Sequence, residues 1–461
     1  MSRKELNILE NVFISKDKNK LQLCDILFSS KIKEIKPKTE VLLEWEDIRE
    51  KSQRNKLLNQ LIEHDESKDI HLAIPGGIDP HVHFDTPGFE FREDFEHGSD
   101  ASICGGTTTI IDMPCTSLPP VTSLKNLKIK KDALKGKGNV NSFFWGGVRG
   151  NDFNEADTKK NIYELADAGV VGFKVYMTSG MESFSDLNEQ QLKIVARIIE
   201  QTGKPMAVHA EDKDLVAYRE KRFKTMNRND WKAYCESRDI QAESSAVNKL
   251  ISISEDTGCR IHVVHLSSKL ALKSIKDAQN RSINISTETC PHYLHFTQSD
   301  FENDLIKNYL KTAPPVKFDD DRNALWEGLA DNSIMFVTTD HAGCNPIHEK
   351  TSENFWNVYG GIPGVEHRVR FLFSEGFWEN KITLEQTVKL LSSNAADFFK
   401  LNNKGKLLAG YDSDITLIDL WDSKRIRAEE MHSKGKYTPF DQELLKTVIK
   451  KVFVNGNLVY S

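Results

Sequence analysis

No C-x-x-C pair occurs among the seven cysteines of this 461-residue chain, which stand at positions 24, 104, 115, 235, 259, 290 and 344. That odd, irregular set argues against a disulfide framework and against a thiolate zinc ribbon. No run of about 18 apolar residues is present, so no segment is suited to cross a bilayer. The opening residues MSRKELNILE are charged and lack the apolar core and small-residue cleavage site of a secretory leader, which makes the cytoplasm the expected compartment. Excess positive charge is missing too: 62 basic side chains face 68 acidic ones, a formal net charge of -6 with histidine neutral, and this offers no footprint for nucleic acid. The lysine-rich stretch 125–137 reads as the solvated face of a surface helix. Low-complexity tracts and internal repeats are absent.

What remains is a globular composition, 39% hydrophobic and 28% charged, long enough for two or three domains or one large barrel with an appendage. From about residue 74, short β-rich runs alternate with helical patterns, the signature of repeated βα units and a parallel sheet. Eight such runs occur: IPGGIDPHVHF (74–84), TTTIIDM (107–113), VNSFFWGGV (140–148), VVGFKVYM (170–177), PMAVHA (205–210), RIHVVHL (260–266), SINISTET (282–289) and IMFVTTD (334–340). Between them, DLNEQQLKIVARIIEQTG sets Leu187, Gln191, Ile194 and Ile198 on one helical face, with Gly203 suited to cap its C-terminus. Eight βα units predict an α/β fold of the TIM-barrel (β/α)8 type over 74–404. Residues 1–73 and 405–461 read as short strands that meet in one small β domain. The charged, Pro- and Gly-free stretch 46–68 is expected to be a helical or flexible insertion without chemistry.

In a parallel barrel the site forms where the strands end, so a polar residue closing an apolar run carries weight. Five runs carry one. His81 and His83 alternate on one strand and therefore face one side together, where both imidazoles can reach a single ion. Lys174 lies inside GFKVYM, and His209, His265 and Asp340 end three further runs. Lys174 is the odd member, because a lysine in an apolar strand costs several kcal/mol unless neutralised or paired. His262 and His97 read as structural, whereas His341, next to Asp340, is a candidate for the pocket wall.

The set HVH, GFKVYM, AVHAED, HVVHLSS, ETCPHYL, TAPPVK and TTDHA resembles the cyclic amidohydrolases, the group of dihydroorotase, allantoinase and hydantoinase. The resemblance runs from PGGIDPHVHF through KGKLLAGYDSDITLID. It implies a (β/α)8 barrel with a small β-sandwich built from both termini, two divalent metal ions, usually zinc, and a dimer or tetramer of identical chains acting on a small cyclic amide. Carried over by position, His81 and His83 bind the more buried ion with Asp340, and His209 and His265 bind the second. Lys174, carboxylated by CO2, would bridge the two ions as an anionic carbamate. A hydroxide held by the ions would attack the amide carbonyl, with Asp340 moving its proton to the leaving nitrogen. The complete ligand set speaks against the family's non-catalytic scaffold proteins.

Substrate preference rests on departures from pattern. Dihydroorotases read H-x-H-x-Arg, with asparagines in M-P-N-T and before the P-P pair, for a substrate bearing a carboxylate; here those places hold Asp85, Cys115 and Ala313. An aspartate in place of that arginine is expected to repel such a substrate. FKVYMTSGMESF, FWNVYGGI, WGGVRGND and KTAPPVK look like allantoinase, whose substrate is neutral. Hydantoinases place a tyrosine five residues after the bridging lysine, and here that residue is Ser179. Arg149 is a candidate replacement cation, and His292 of ETCPHYL is a further candidate contact. The resulting expectation is an allantoin-like neutral ureide, ahead of dihydroorotate and hydantoins.

Overall fold

A computed structural model describes residues 6–62 and 69–461. Two sheets are parallel. One runs in spatial order Phe336–Val337, Ile285–Thr289, Ile261–Val263, Met206–His209, Phe173–Tyr176, Gly146–Gly147, and the other His341–Ala342, Gly77–His83, Thr107–Asp112, Asn141–Phe144. Chain segments 141–147 and 336–342 each contribute to both sheets, and every neighbouring pair is parallel. Helices such as Phe95–Cys104, Glu189–Glu200 and Lys269–Asn280 fill the connections. Most of these strands are buried at every position, which is why they read as unbroken apolar runs rather than alternating ones.

A third, mixed sheet joins the two ends of the chain. Its order is Asn457–Tyr460, Val448–Val454, Ile415–Asp419, Leu72–Pro75, Asn7–Ser15, Lys20–Phe28, Ile32–Pro37. Leu72–Pro75 is the seam, parallel to Asn7–Ser15 and antiparallel to Ile415–Asp419. The run 74–84 is therefore two strands in two sheets. They part at Gly76, where a Cβ would lie 2.2 Å from Thr108 Oγ1, so only glycine lets the chain cross from one sheet to the other. Lys20–Phe28 shows the same division of labour. Leu21 and Leu23 pack into the main core, while Cys24, Ile26 and Phe28 pack into a separate cluster with Ile415 and Phe453.

Two local expectations change. In helix Glu189–Glu200 the buried face is Leu192, Val195, Ala196, Ile198 and Ile199, and Gln191 instead closes a capping box with Asn188. The lysine stretch forms helix Leu124–Leu134, but Lys130 turns inward, 1% exposed, and pairs with Asp112 and with Ser117 Oγ at 3.0 Å. The stretch 46–68 is helical over Lys51–Leu61 and pinned by Leu58 and by Arg54, whose guanidinium lies 4.1 Å over Trp421; its residues 63–68 lie outside the described part. Among the described residues no helix is long and apolar enough to cross a membrane.

Candidate metal centre and catalytic cleft

At the C-terminal ends of the parallel strands, His81, His83 and Asp340 each bring one ligand atom within 4.8 Å of the others, a group suited to a metal ion. Asp340 Oδ1 lies 3.0 Å from His81 Nε2 and 3.2 Å from His83 Nε2. Beside them His209 Nδ1 and His265 Nε2 stand 3.0 Å apart. Lys174 is fully buried, and its Nζ has no hydrogen-bond partner among the described residues. His265 and Asp340 lie just past the ends of their strands rather than in them, at φ of 42° and 48°. Non-glycine residues held in the left-handed region are strained, and such strain gathers at functional sites, where it re-aims a side chain.

Two carboxylates that sequence reading missed fix the imidazoles. Glu288 accepts from His81 Nδ1 at 2.6 Å and from His262 Nε2 at 3.1 Å. Glu211 lies 2.8 Å from His209 Nε2 and is paired with Arg238. Each thereby leaves the imidazole nitrogen that faces the site as the lone-pair donor, the orientation that carboxylate–histidine pairs give to metal-binding rings. One signal was present, since Glu211 stands two places after His209, whereas Glu288 lies within the polar strand ISTET and has no such mark. Burial opposes ionisation of both, but His81 and His262 hold Glu288 well below the usual carboxylate range, and Arg238 and His209 bring Glu211 down to about 2. Asp340 is likewise held far down against its burial by His81, His83 and His265. Burial lowers Lys174, and its positive charge is felt by His81, His209 and His265 alike.

The centre opens into a cleft of about 1010 Å³, to which His83, His209, His265 and Asp340 contribute. Ser179 and Ala313 line it as well. Ser179 Oγ is bonded within its own loop, to Phe184 O at 2.7 Å. The other substrate candidates stand elsewhere. Cys115 is buried behind the wall, its Sγ 3.2 Å from the hydroxyl of Tyr176, which does reach the cleft. His341 is a fully buried strut between Glu93, at 3.2 Å, and the Val365 amide, and His292 is buried with Nε2 unpartnered among the described residues. Arg149 points to a different depression and donates to Ser183 O at 2.6 Å, bracing the 178–183 loop. Asp85 is 2% exposed and lies outside the cleft, and burial together with Asp112 and Glu93 raises its carboxyl well above the usual range. The expected repulsion of an anionic substrate by Asp85 is therefore corrected, since its side chain is buried and does not line the cleft.

The cations that do line the cleft are Arg92, Arg238 and Lys311. Arg92 is paired with Glu349 at 2.7 Å, and Arg238 with Glu211. Lys311 donates to the carbonyls of Phe355, Trp356 and Val358 at 2.6, 3.2 and 2.6 Å.

The profile of the amidohydrolase family matches residues 72–459. An allantoinase of Rubrobacter xylanophilus is 31% identical over 390 residues, 84% of each chain. A dihydroorotase of Methanosphaera stadtmanae is 33% identical over 409 residues, 84% of this chain and 89% of its own. Among solved structures, the L-hydantoinase of Arthrobacter aurescens superposes with a TM-score of 0.86 at 27% identity, covering 98% of this chain and 96% of the other. With this likeness spread over nearly the whole chain and the polar strand ends gathered at one cleft, the protein belongs to the amidohydrolase family, in its group of cyclic-amide hydrolases.

Proposed function

We propose that the two parallel sheets close as one (β/α)8 barrel over 74–404, that the mixed sheet of the two termini (1–73 and 405–461) forms a separate small β-sandwich, and that the cleft opens a neutral cyclic ureide such as allantoin. His81, His83 and Asp340 would hold one divalent ion, His209 and His265 a second, and Lys174 both. The observation that carries this reading is the buried Nζ of Lys174, without a hydrogen-bond partner among the described residues, between two sets of histidines. An ammonium left so would cost several kcal/mol, and burial already favours the free amine. The free amine is the form that adds CO2, forming an N–C bond and releasing a proton, and the resulting carbamate is the anion that two cations require. When bound, divalent ions such as zinc supply a nucleophile of near-neutral pKa and polarise the carbonyl.

The protein's own part is positioning and proton transfer. Asp340 fixes Oδ1 between His81 and His83, while Oδ2 has no protein partner among the described residues and the side chain keeps 16% of its surface toward the cleft. Oδ2 is thus placed to take a proton from the attacking water and return it to the ring nitrogen as the C–N bond breaks. A neutral substrate is favoured because Arg92 and Arg238 are each paired with a carboxylate and all three N–H groups of Lys311 are spent on carbonyls, so no cleft cation offers both an unpaired charge and a free donor to a substrate carboxylate. Seven unpaired cysteines suit a reducing compartment such as the cytoplasm.

The test is kcat/KM for allantoin and L-dihydroorotate, side by side, on protein loaded with zinc and bicarbonate. Preference for allantoin supports the reading. Preference for dihydroorotate would mean that Arg92 or Arg238 exchanges its carboxylate for the substrate's, and the neutral-substrate reading would fall.

A further inference from the structure

A second cavity, of about 120 Å³, shares no residue with the cleft. It lies near the opposite ends of the parallel strands, between helix Arg368–Phe371, segment 424–432 and strand Val448–Val454, beside the end of helix Phe95–Cys104, which leads into strand Thr107–Asp112. Arg370, Lys424, Arg425 and Arg427 line it against two carboxylates, Glu366 and Glu430. The acids are already engaged: Glu430 with Lys424 at 3.1 Å and Arg427 at 3.7 Å, and Glu366 with His432 at 2.9 Å.

Two guanidiniums remain without a carboxylate among the described residues. Arg370 is fixed by Thr447 O at 2.8 Å and Lys424 O at 2.5 Å, and Arg425 by Gln442 O at 2.7 Å, while the rest of their N–H groups have no protein acceptor there. Carbonyl contacts of this kind hold a guanidinium in place without neutralising it. His367 lines the same cavity at 4% exposure, and its Nε2 has no hydrogen-bond partner among the described residues. A buried polar atom left unpaired costs about 1–3 kcal/mol, so its persistence points to a partner from outside the chain. Burial keeps this imidazole neutral near pH 7, its pKa brought down to about 4, which leaves one ring nitrogen as a neutral N–H donor.

We propose that this cavity is a binding site for a small oxyanion of the phosphate class, held by the free donors of Arg370 and Arg425 with His367 as the buried third contact. Planar guanidiniums are suited to such ions, and the volume admits a tetrahedral anion with few waters.

The experiment titrates inorganic phosphate into the full-length, metal-loaded protein by calorimetry and thermal shift, against chloride at equal ionic strength. Arg425→Gln changes an exposed side chain and leaves the fold intact, and Arg370→Gln removes the fixed guanidinium. The expected result is saturable phosphate binding that weakens about tenfold in Arg425→Gln and further in Arg370→Gln, a loss of charge-assisted bonds, with kcat/KM for the ring substrate unchanged in Arg425→Gln. No saturable binding would overturn the proposal. Binding of equal affinity in Arg425→Gln would overturn it too, because the phosphate would then sit elsewhere, as at the metal centre.

Discussion

Under the proposed function Asp340 would have two tasks, which one substitution separates. Its backbone turns at φ 48°, which asparagine also tolerates, while its charge would bind the ion and move protons. Asp340→Asn should therefore keep the far-UV spectrum and melting midpoint close to wild type and lower kcat by about 10³, within the range of a lost general base; near-normal kcat would remove Asp340 from the chemistry. Glu288→Gln leaves the shape and removes the charge shared by His81 and His262. Metal affinity, read by competition with a chelator, should fall about 10–100-fold. The histidines, Lys174 and Asp340 were legible because each interrupts an apolar run. Glu288 was not, because in ISTET it sits among serine and threonine and its polarity does not stand out. Arg92 was hidden for a different reason: its partner Glu349 lies 257 residues away, and no local pattern links them.

Among the elements, the segment 355–361 illustrates how buried lysines can hold a cleft wall through its carbonyls. Lys311 donates to three of its carbonyls, and Lys350 to those of Tyr359 and Gly361 at 2.8 and 2.9 Å, while Trp356, Val358, Tyr359, Gly360 and Gly361 face the cleft. Lys311→Met leaves those acceptors unpaired, at about 1–3 kcal/mol for each that stays buried. Hydrogen exchange in 354–361 should accelerate and KM should rise more than kcat falls; unchanged exchange would show that the segment is held by other contacts. Burial lowers Lys350 to about 8 from its ordinary 10.5. Between those values the unfolded chain binds the extra proton, so wild type should gain stability relative to Lys350→Met as pH rises from 8 toward 10.5. Denaturant midpoints of the two proteins across that range check the sign. The FWNVYGGI motif marked this segment in the sequence, but the lysines that hold it carry no periodic signal.

Over the whole molecule, the alternation of strands and helices was legible because strands covered on both faces must be apolar throughout, which makes them stand out from the amphipathic helices between them. The ends of the elements were less so. The run beginning at Ile74 conceals a change of sheet that depends on one close approach at Gly76, and RIHVVHL and IMFVTTD shorten to Ile261–Val263 and Phe336–Val337 because the residues beyond them turn toward the cleft. Those same turns carry His265 and Asp340, so the strands end a few residues earlier than the runs suggest, although both side chains still reach the cleft.

The central claim is that Lys174 serves as an anionic bridge between two metal ions, and metal content measures it most directly. Wild-type protein and Lys174→Ala would be loaded with zinc and bicarbonate, desalted and assayed for zinc per chain, with and without a short carboxylic acid. The account predicts two ions per chain in the wild type, loss of zinc and activity together in Lys174→Ala, and partial return of both with the added acid. Lys174→Ala that keeps two ions and full activity without the acid would contradict it.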